Sequence, residues 1–467
     1  MENAVPEPIQ PKVTPKLPKQ VIVSYVLMVV AVVMVVFALI FSLSGYKIEP
    51  TTGEIAKTGL VQVASSPTGA SVTIDGKLHG SKTNMKLTLE EGEHHFEMNK
   101  SGFRTWQGNY KVVQSDILWL DYALLWPEEL KMKEVDDFKM TPLFELDHNR
   151  VLASSAVDLS LSSAASADLF LVDFENEIKT RKVTWTMASL SAALAKIDPE
   201  LKIKRIVGGN SDNYFWIVAS VLDNASQGEV TKIFAWTAGS GVLTPVTSGK
   251  IVKNYAIYKN NLVFSSLSSD GKRAEIYFYR EGDLQAAQWQ TRDDLDLKLA
   301  FTNYDNSNYL AVVVNEKVEL WQNGSGRFYE NAELVTELPS AGNKALAFSP
   351  YGRFLSFGSS VLMNYDLEDK KLYETEISTE ARWLNNFSFR QLTDGNCAVS
   401  VSEVAETKET DDAGGASDAK CLSVVDFDGQ NRQEFEIAPE QIFLSRNNKK
   451  LYYFDKDKKL FNTDLTQ

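Results

Sequence analysis

The chain has 467 residues, a formal net charge of −14 and two cysteines. So long a chain exceeds what one hydrophobic core organises, and two or more domains are expected. Two cysteines exclude a disulfide-stapled miniprotein and a four-cysteine zinc site. The acidic balance, with no basic stripe along the chain, argues against nucleic acid and anionic headgroups as partners.

Residues 1–20 carry Pro6, Pro8, Pro11, Pro15 and Pro18 and read as an extended, unpacked tail. Residues 21–44, VIVSYVLMVVAVVMVVFALIFSLS, contain no charge, proline or glycine. As a helix this run is roughly 36 Å long, against a bilayer core of about 30 Å. A cleaved signal has an apolar region of only about 7–15 residues, so an uncleaved transmembrane anchor is expected. Lys12, Lys16 and Lys19 precede it, while Lys47, Glu49 and Glu54 follow. Positive flanks stay inside, which predicts a cytoplasmic N-terminus and an extracytoplasmic bulk at the cell membrane. Residues 45–58 read as a linker.

From residue 59 to 126 the pattern becomes alternating strands with sharp turns. Leu60 to Ala64 and Ser71 to Ile74 alternate, and Asp75-Gly76 is a hairpin pair. Glu91-Gly92 makes another turn before His95 to Met98, and Lys100-Ser101-Gly102-Phe103 a third. This predicts a small all-β module, most simply a sandwich.

Those residues carry a resemblance. Pro67, Gly69, Ala70, Val72, Ile74, Asp75, Gly76, Gly80, Gly92, His94, Lys100, Gly102 and Phe103 are spaced as in the PEGA domain, which the module resembles over nearly its whole length. It departs at Thr68, where the family expects glutamate, and at Ser81-Lys82-Thr83, which lacks the usual proline. The turn glycines are untouched. The resemblance implies a bacterial or archaeal surface setting and a spacer or binding role without chemistry, with Pro67, Gly69, Ala70, Asp75, Gly76, Gly80, Gly92, His94 and Gly102 structural.

Beyond the module the chain repeats. Units of strand, polar turn and strand begin at Leu143, Ile206, Tyr255, Leu299, Ala345, Phe387 and Gln441, between 42 and 63 residues apart. A further strand signature follows each, such as DLFLVDF or KVELWQN. Four-stranded propeller blades take roughly 40–50 residues. Residues 127–467 are therefore predicted to form a seven-bladed β-propeller. Ser189 to Ile197 reads as a short inserted helix, and Ser402 to Ala419 as an acidic loop. The last repeat lacks a fourth strand, which residues 129–135 would supply. Phe348 to Arg353 resembles the blade turn of WD40-like and TolB-like propellers.

No residue is assigned a catalytic, cofactor or metal role, and no cofactor is expected. Of His79, His94, His95 and His148, only His148 falls in the repeats, in the turn Asp147-His148-Asn149, where a turn role outweighs that of a catalytic base. Zinc-binding spacings are missing. Ser269 to Lys272 and Asp426 to Gly429 imitate a nucleophile motif and a calcium loop, but read as turns. Cys397 and Cys421 fall on neighbouring strands of one repeat and are expected to form a disulfide, with two buried thiols as the alternative. Trp216, Trp236, Trp289, Trp321 and Trp383 recur near repeat strands, most of them packing between blades and a few available to line a sugar or peptide surface.

The expectation is a membrane-anchored cell-surface protein whose propeller face binds an envelope protein or cell-wall glycan. The competing class is an enzyme of envelope polysaccharide or peptidoglycan, with channel carboxylates facing each other at roughly 5–10 Å. A sensor is disfavoured by a head of twenty residues.

Overall fold

A computed structural model describes residues 19–43, 45–48, 55–156, 167–223, 228–324, 326–339, 344–394, 420–437 and 439–466. Lys19–Leu43 is one helix. Within it Val23–Phe41 is long and apolar enough to cross a membrane, as an anchor or a signal sequence would be. The rest is almost entirely strand. The chain falls into two compact units, residues 1–98 with 109–123, and residues 99–108 with 124–467.

The smaller unit belongs to a module of two four-stranded sheets. One comprises Tyr46–Ile48, Ile55–Ser66, Met85–Glu90 and Ile117–Leu124, and the other Lys77–Lys82, Ser71–Ile74, Gly92–Asn99 and Trp106–Val112. Val61, Val63, Val72, Ile74, Phe96, Met98, Val112 and Leu120 are buried, with Val61/Val63, Val72/Ile74 and Phe96/Met98 two residues apart on their strands, whereas Lys77–Lys82 is exposed throughout. Asp75 and Gly76 both sit at positive φ, 50° and 74°. That is the pair of left-handed residues a two-residue hairpin turn requires between Ile74 and Lys77.

Among the described residues the larger unit contains five four-stranded antiparallel sheets and one of eight strands, in which two four-stranded arrays are joined by the single pair Thr231–Val252; together they make the seven blades of a propeller. Their innermost strands are Thr141–Glu145, Lys202–Gly208, Val252–Tyr258, Lys298–Tyr304, Ala345–Phe348, Arg382–Trp383 and Gln441–Leu444. The outermost strand of blade 7 is Lys133–Glu134, from upstream of blade 1, paired with Leu460–Asp464. Apolar packing links the blades in turn and runs from blade 7 back to blade 1, where Phe174 stacks on Phe443 with centroids 4.7 Å apart. Second and third strands are covered on both faces by neighbouring blades. They therefore read as unbroken apolar runs, such as Phe215 to Val218 and Leu310 to Val314.

The inserted helix is Met187–Ala195, capped by Thr186 and Ser189 through a reciprocal capping box, with Leu190 and Leu194 buried between blades 1 and 2. One repeat is placed differently from its sequence reading. The unit at Phe387 opens the second strand of blade 6, Ser388–Asp394; the first is Arg382–Trp383, too short to show a period. The two Trp residues of blade 2 and the Trp289–Trp321 pair (5.1 Å) all pack between blades.

Candidate functional site

The loops joining first to second strands gather at one end of the channel and fold themselves through side chains. Asp147 Oδ1 accepts from the N–H groups of Asn149 (3.0 Å) and Arg150 (2.9 Å). Asn385 does the same for Phe387 (2.8 Å) and Ser388 (2.7 Å). Other bonds run between blades. Asn210 N–H donates to Asn260 Oδ1 (2.7 Å), the Trp216 indole to the Lys259 carbonyl (2.7 Å), and Ser349 Oγ to Asn386 Oδ1 (2.6 Å). Arg446 N–H donates to the Glu175 carbonyl at 2.6 Å, tying blade 7 to blade 1. The rim is stitched loop to loop, which fixes its shape before any ligand arrives.

Inside that rim lies a cavity of about 760 Å³. Tyr255, Tyr258, Phe301, Phe348 and Tyr351 line it, with acids and bases between them. Three of its acids are committed to arginine. Arg150 Nε donates to Asp147 Oδ2 at 2.7 Å and its other nitrogens reach Asp212 Oδ1 (3.5 Å) and the Gly209 carbonyl (3.1 Å). Arg181 also pairs with Asp212. Glu175 accepts from Arg446 at 2.9 Å, and that guanidinium lies 5.2 Å from the Tyr351 ring. Gly208 makes room for the arrangement, since a Cβ there would stand 2.8 Å from an Arg150 nitrogen. Carboxylates held by arginines on their own wall are poorly disposed to exchange protons with a substrate.

His148 stands in its turn and also lines this cavity, edge-on to Tyr351 at 5.1 Å. Burial pushes its imidazole below the ordinary range, so it is neutral at pH 7. Thr302, also on the wall, is buried with its hydroxyl unpartnered. Five aromatic rings, neutral polar groups and pinned charges make a surface suited to holding a ligand.

The other residues weighed from the sequence for a site lie elsewhere. His94 Nδ1 bonds Asp75 Oδ2 at 2.7 Å and its Nε2 bonds the Glu90 carbonyl at 2.9 Å. Both partners only accept, so both ring nitrogens donate. Burial alone would lower this imidazole, but the bonds to Asp75 and Glu90 outweigh it and hold it above the ordinary range. Asp75 is held low, first by His94 and then by the His95 N–H (2.9 Å). Gly69 and Gly102 sit at positive φ (84° and 81°) in turns, and Ala70 is buried. Pro67 and Gly92 fall beside or at strand ends, and Gly80 lies within Lys77–Lys82. His95 bonds Asn109 at 2.7 Å and His79 accepts from Ser81 N–H at 3.2 Å. Among the described residues no cluster of three or more His, Cys, Asp and Glu is placed to hold a metal. Ser269 to Lys272 forms the turn between Asn261–Leu267 and Ala274–Arg280. Asp426 is buried, accepting from the Trp106 indole at 2.8 Å, Ser388 Oγ at 3.3 Å and Asn431 Nδ2 at 3.4 Å. Cys421 is buried in Lys420–Asp426 and is not a free thiol, while Cys397 lies outside the described residues.

Sequence reasoning weighed tryptophans as ligand surfaces, whereas tyrosines and phenylalanines line the cavity. Their signal was positional: Tyr258, Phe301 and Phe348 fall at or beyond the middle of the innermost strand of consecutive repeats, visible only once the repeats are aligned strand by strand.

The small module matches a family along its whole length, from residue 58 to residue 125. It is a PEGA domain. No curated protein matches the chain. Among solved structures, oligogalacturonate lyase from Vibrio parahaemolyticus is similar at 8% identity and a TM-score of 0.41, over 72% of this chain and 94% of that one. TolB from Acinetobacter baumannii is similar at 11% and 0.31, over 64% and 76%. The propeller domain of the Trilobed protease from Pyrococcus furiosus is similar at 10% and 0.33, over 55% and 78%. Likeness this distant says nothing of ligand or reaction.

Proposed function

We propose that this chain is a cell-envelope protein, anchored by residues 21–44 with its N-terminus in the cytoplasm. On this reading the PEGA domain is a spacer and the propeller binds another envelope component, protein or cell-wall glycan, without turning it over. The observation that carries the reading is the cavity of about 760 Å³, walled by aromatic rings and bounded by a rim bonded loop to loop. The commitment of Asp147, Asp212 and Glu175 to arginines favours binding over acid–base catalysis. We also propose that Cys397 and Cys421 form a disulfide, which a mass difference of two hydrogens on reduction would report.

The test is site-specific photocrosslinking in intact cells, with the photoreactive residue at Tyr255 in the cavity and, as a control, at exposed Lys179 on an outermost strand. A discrete envelope adduct at Tyr255 alone is expected. Equal labelling at both positions, or hydrolysis of purified wall polymer by the full chain, would overturn the binding reading.

A further inference from the structure

At the end of the propeller away from the cavity, the innermost strands carry charge opposite to that of the chain as a whole. Each innermost strand ends at the cavity rim, so each begins at the far end. These seven strands carry six basic residues, Lys202, Lys204, Arg205, Lys253, Lys298 and Arg382, and one acid, Glu145. The whole chain has 62 Asp and Glu against 48 Lys and Arg. Arg205, midway along its strand, lines the rimmed cavity; the other five lie in the first half of theirs, and blade 5 adds exposed Lys344 immediately before Ala345. Five consecutive blades, 2 to 6, thus each bring positive charge to the far half of the channel. The acids of this end, such as Glu200, Asp296 and Glu380, sit in the connections leading in from the outermost strands.

Few of these cations have a counter-charge. Lys204 pairs with Glu229 at 2.7 Å, and Lys298 Nζ donates to the Lys344 carbonyl at 3.1 Å. Among the described residues, Lys202, Arg205, Lys253, Lys298, Lys344 and Arg382 have no carboxylate partner. Within blade 6, Arg382 is also the direct register partner of Arg390. Like charges facing across neighbouring strands are destabilising. Burial pushes the Arg390 guanidinium down, and Glu145 is the acid that opposes this. An anion between these groups would remove both penalties.

We propose that the far end of the channel binds an extended acidic segment of a partner protein, its carboxylates taken by Lys202, Lys253, Lys298, Lys344 and Arg382. Charges spread one per blade around this end match carboxylates spaced along a chain. They do not form the paired guanidinium fork that grips a single phosphate bidentately. A flat bilayer cannot follow the wall inward, whereas an extended chain can.

The test uses the full chain in zwitterionic nanodiscs and a fluorescent ten-residue glutamate peptide. Binding is expected to weaken steeply with salt, to be absent for the glutamine peptide, and to fall at least tenfold in the triple variant Lys253→Gln, Lys298→Gln, Arg382→Gln. Lys253→Arg with Arg382→Lys keeps the charge and should keep binding, which guards against loss through misfolding. Equal binding of the two peptides, or full binding by the triple variant, overturns the proposal. So does binding to polyphosphate or phosphatidylglycerol vesicles that exceeds binding to the peptide.

Discussion

The two ends of the propeller channel are built from the same seven strands yet treat charge in opposite ways. At the rimmed end, acids and bases meet and neutralise one another: Arg150 with Asp147 and Asp212, Arg446 with Glu175. At the far end, among the described residues, Lys253, Lys298, Lys344 and Arg382 stand without a carboxylate at pairing distance, while Lys204 alone is paired, with Glu229. A charge that is paired within the protein serves the fold, and removing its partner costs stability. A charge left unpaired at no benefit to the fold is free to serve a ligand, and removing it should cost the fold nothing. The difference separates architecture from recognition without knowledge of either ligand.

The strongest test of that division is at the rim. Arg353 grips Asp366 through two nitrogens (2.8 to 3.2 Å), and the Asp366 side chain is 1% exposed. Arg353→Met leaves a buried carboxylate unpaired and is expected to cost about 3–5 kcal/mol of propeller stability, read by denaturant unfolding. A loss below about 1 kcal/mol, the level of an exposed pair, would show that pairing at the rim is not structural.

Next in size is Asp426, a buried acid held by donors without a cation. Burial drives its carboxyl well above the ordinary range, and Asp428 nearby adds to this. A carboxyl raised in the folded state stabilises below its unfolded value, and that contribution is lost as pH rises through the folded value. Propeller stability should therefore decline as pH climbs above about 4, the ordinary carboxyl value. Asp426→Asn should flatten the decline, seen as melting temperatures that no longer separate from wild type toward low pH. An unchanged slope in the variant would mean the carboxyl titrates normally.

How much of this could be read from the chain follows the same division. Blades were legible because their second and third strands are apolar on both faces and recur at the blade period, as with Phe215 to Val218. The PEGA domain was legible because its turns need particular residues at fixed spacing, Asp75-Gly76 above all. The cavity was not, because its wall takes one short stretch from each repeat. The far-end bases were missed for the same reason: no two blades' contributions are neighbours in sequence, so the chain shows no basic run. Blade 6 was read one strand late because Arg382–Trp383 has two residues. The bond from Trp106 to Asp426 spans 320 positions and left no local trace.

Smaller effects are expected at the far end, and their smallness is the point. Lys253→Gln and Arg382→Gln should each change stability by no more than about 0.5 kcal/mol. Arg382→Gln should tend to stabilise, since it removes a like charge opposite Arg390. Chemical denaturation of each single variant measures this. A loss above about 1 kcal/mol would place these bases in the architecture and collapse the contrast between the two ends.

The PEGA domain offers the mildest case, a paired charge near the surface. His94 donates to both Asp75 and the Glu90 carbonyl, so the folded domain favours the imidazolium. Its folded value lies above the ordinary 6.5. The contribution is therefore whole below about pH 6.5 and lost as pH rises through the folded value. Asp75, held below its ordinary 3.8, contributes above that value, and its share is lost as pH falls through the folded one. Stability from this pair should peak between about pH 4 and pH 6.5. The Asp75 side chain is 49% exposed, so solvent screens the interaction, and its size is that of a surface pair, about 0.2–1 kcal/mol. Amide exchange at Val72, Ile74 and Phe96, buried in the same module, isolates the domain's own opening from that of the propeller. Protection there should fall as pH rises above about 6.5, after correction for intrinsic exchange, and His94→Gln should abolish the fall. An identical pH profile in the variant would mean that the two hydrogen bonds hold the turns together without preferring the charged ring.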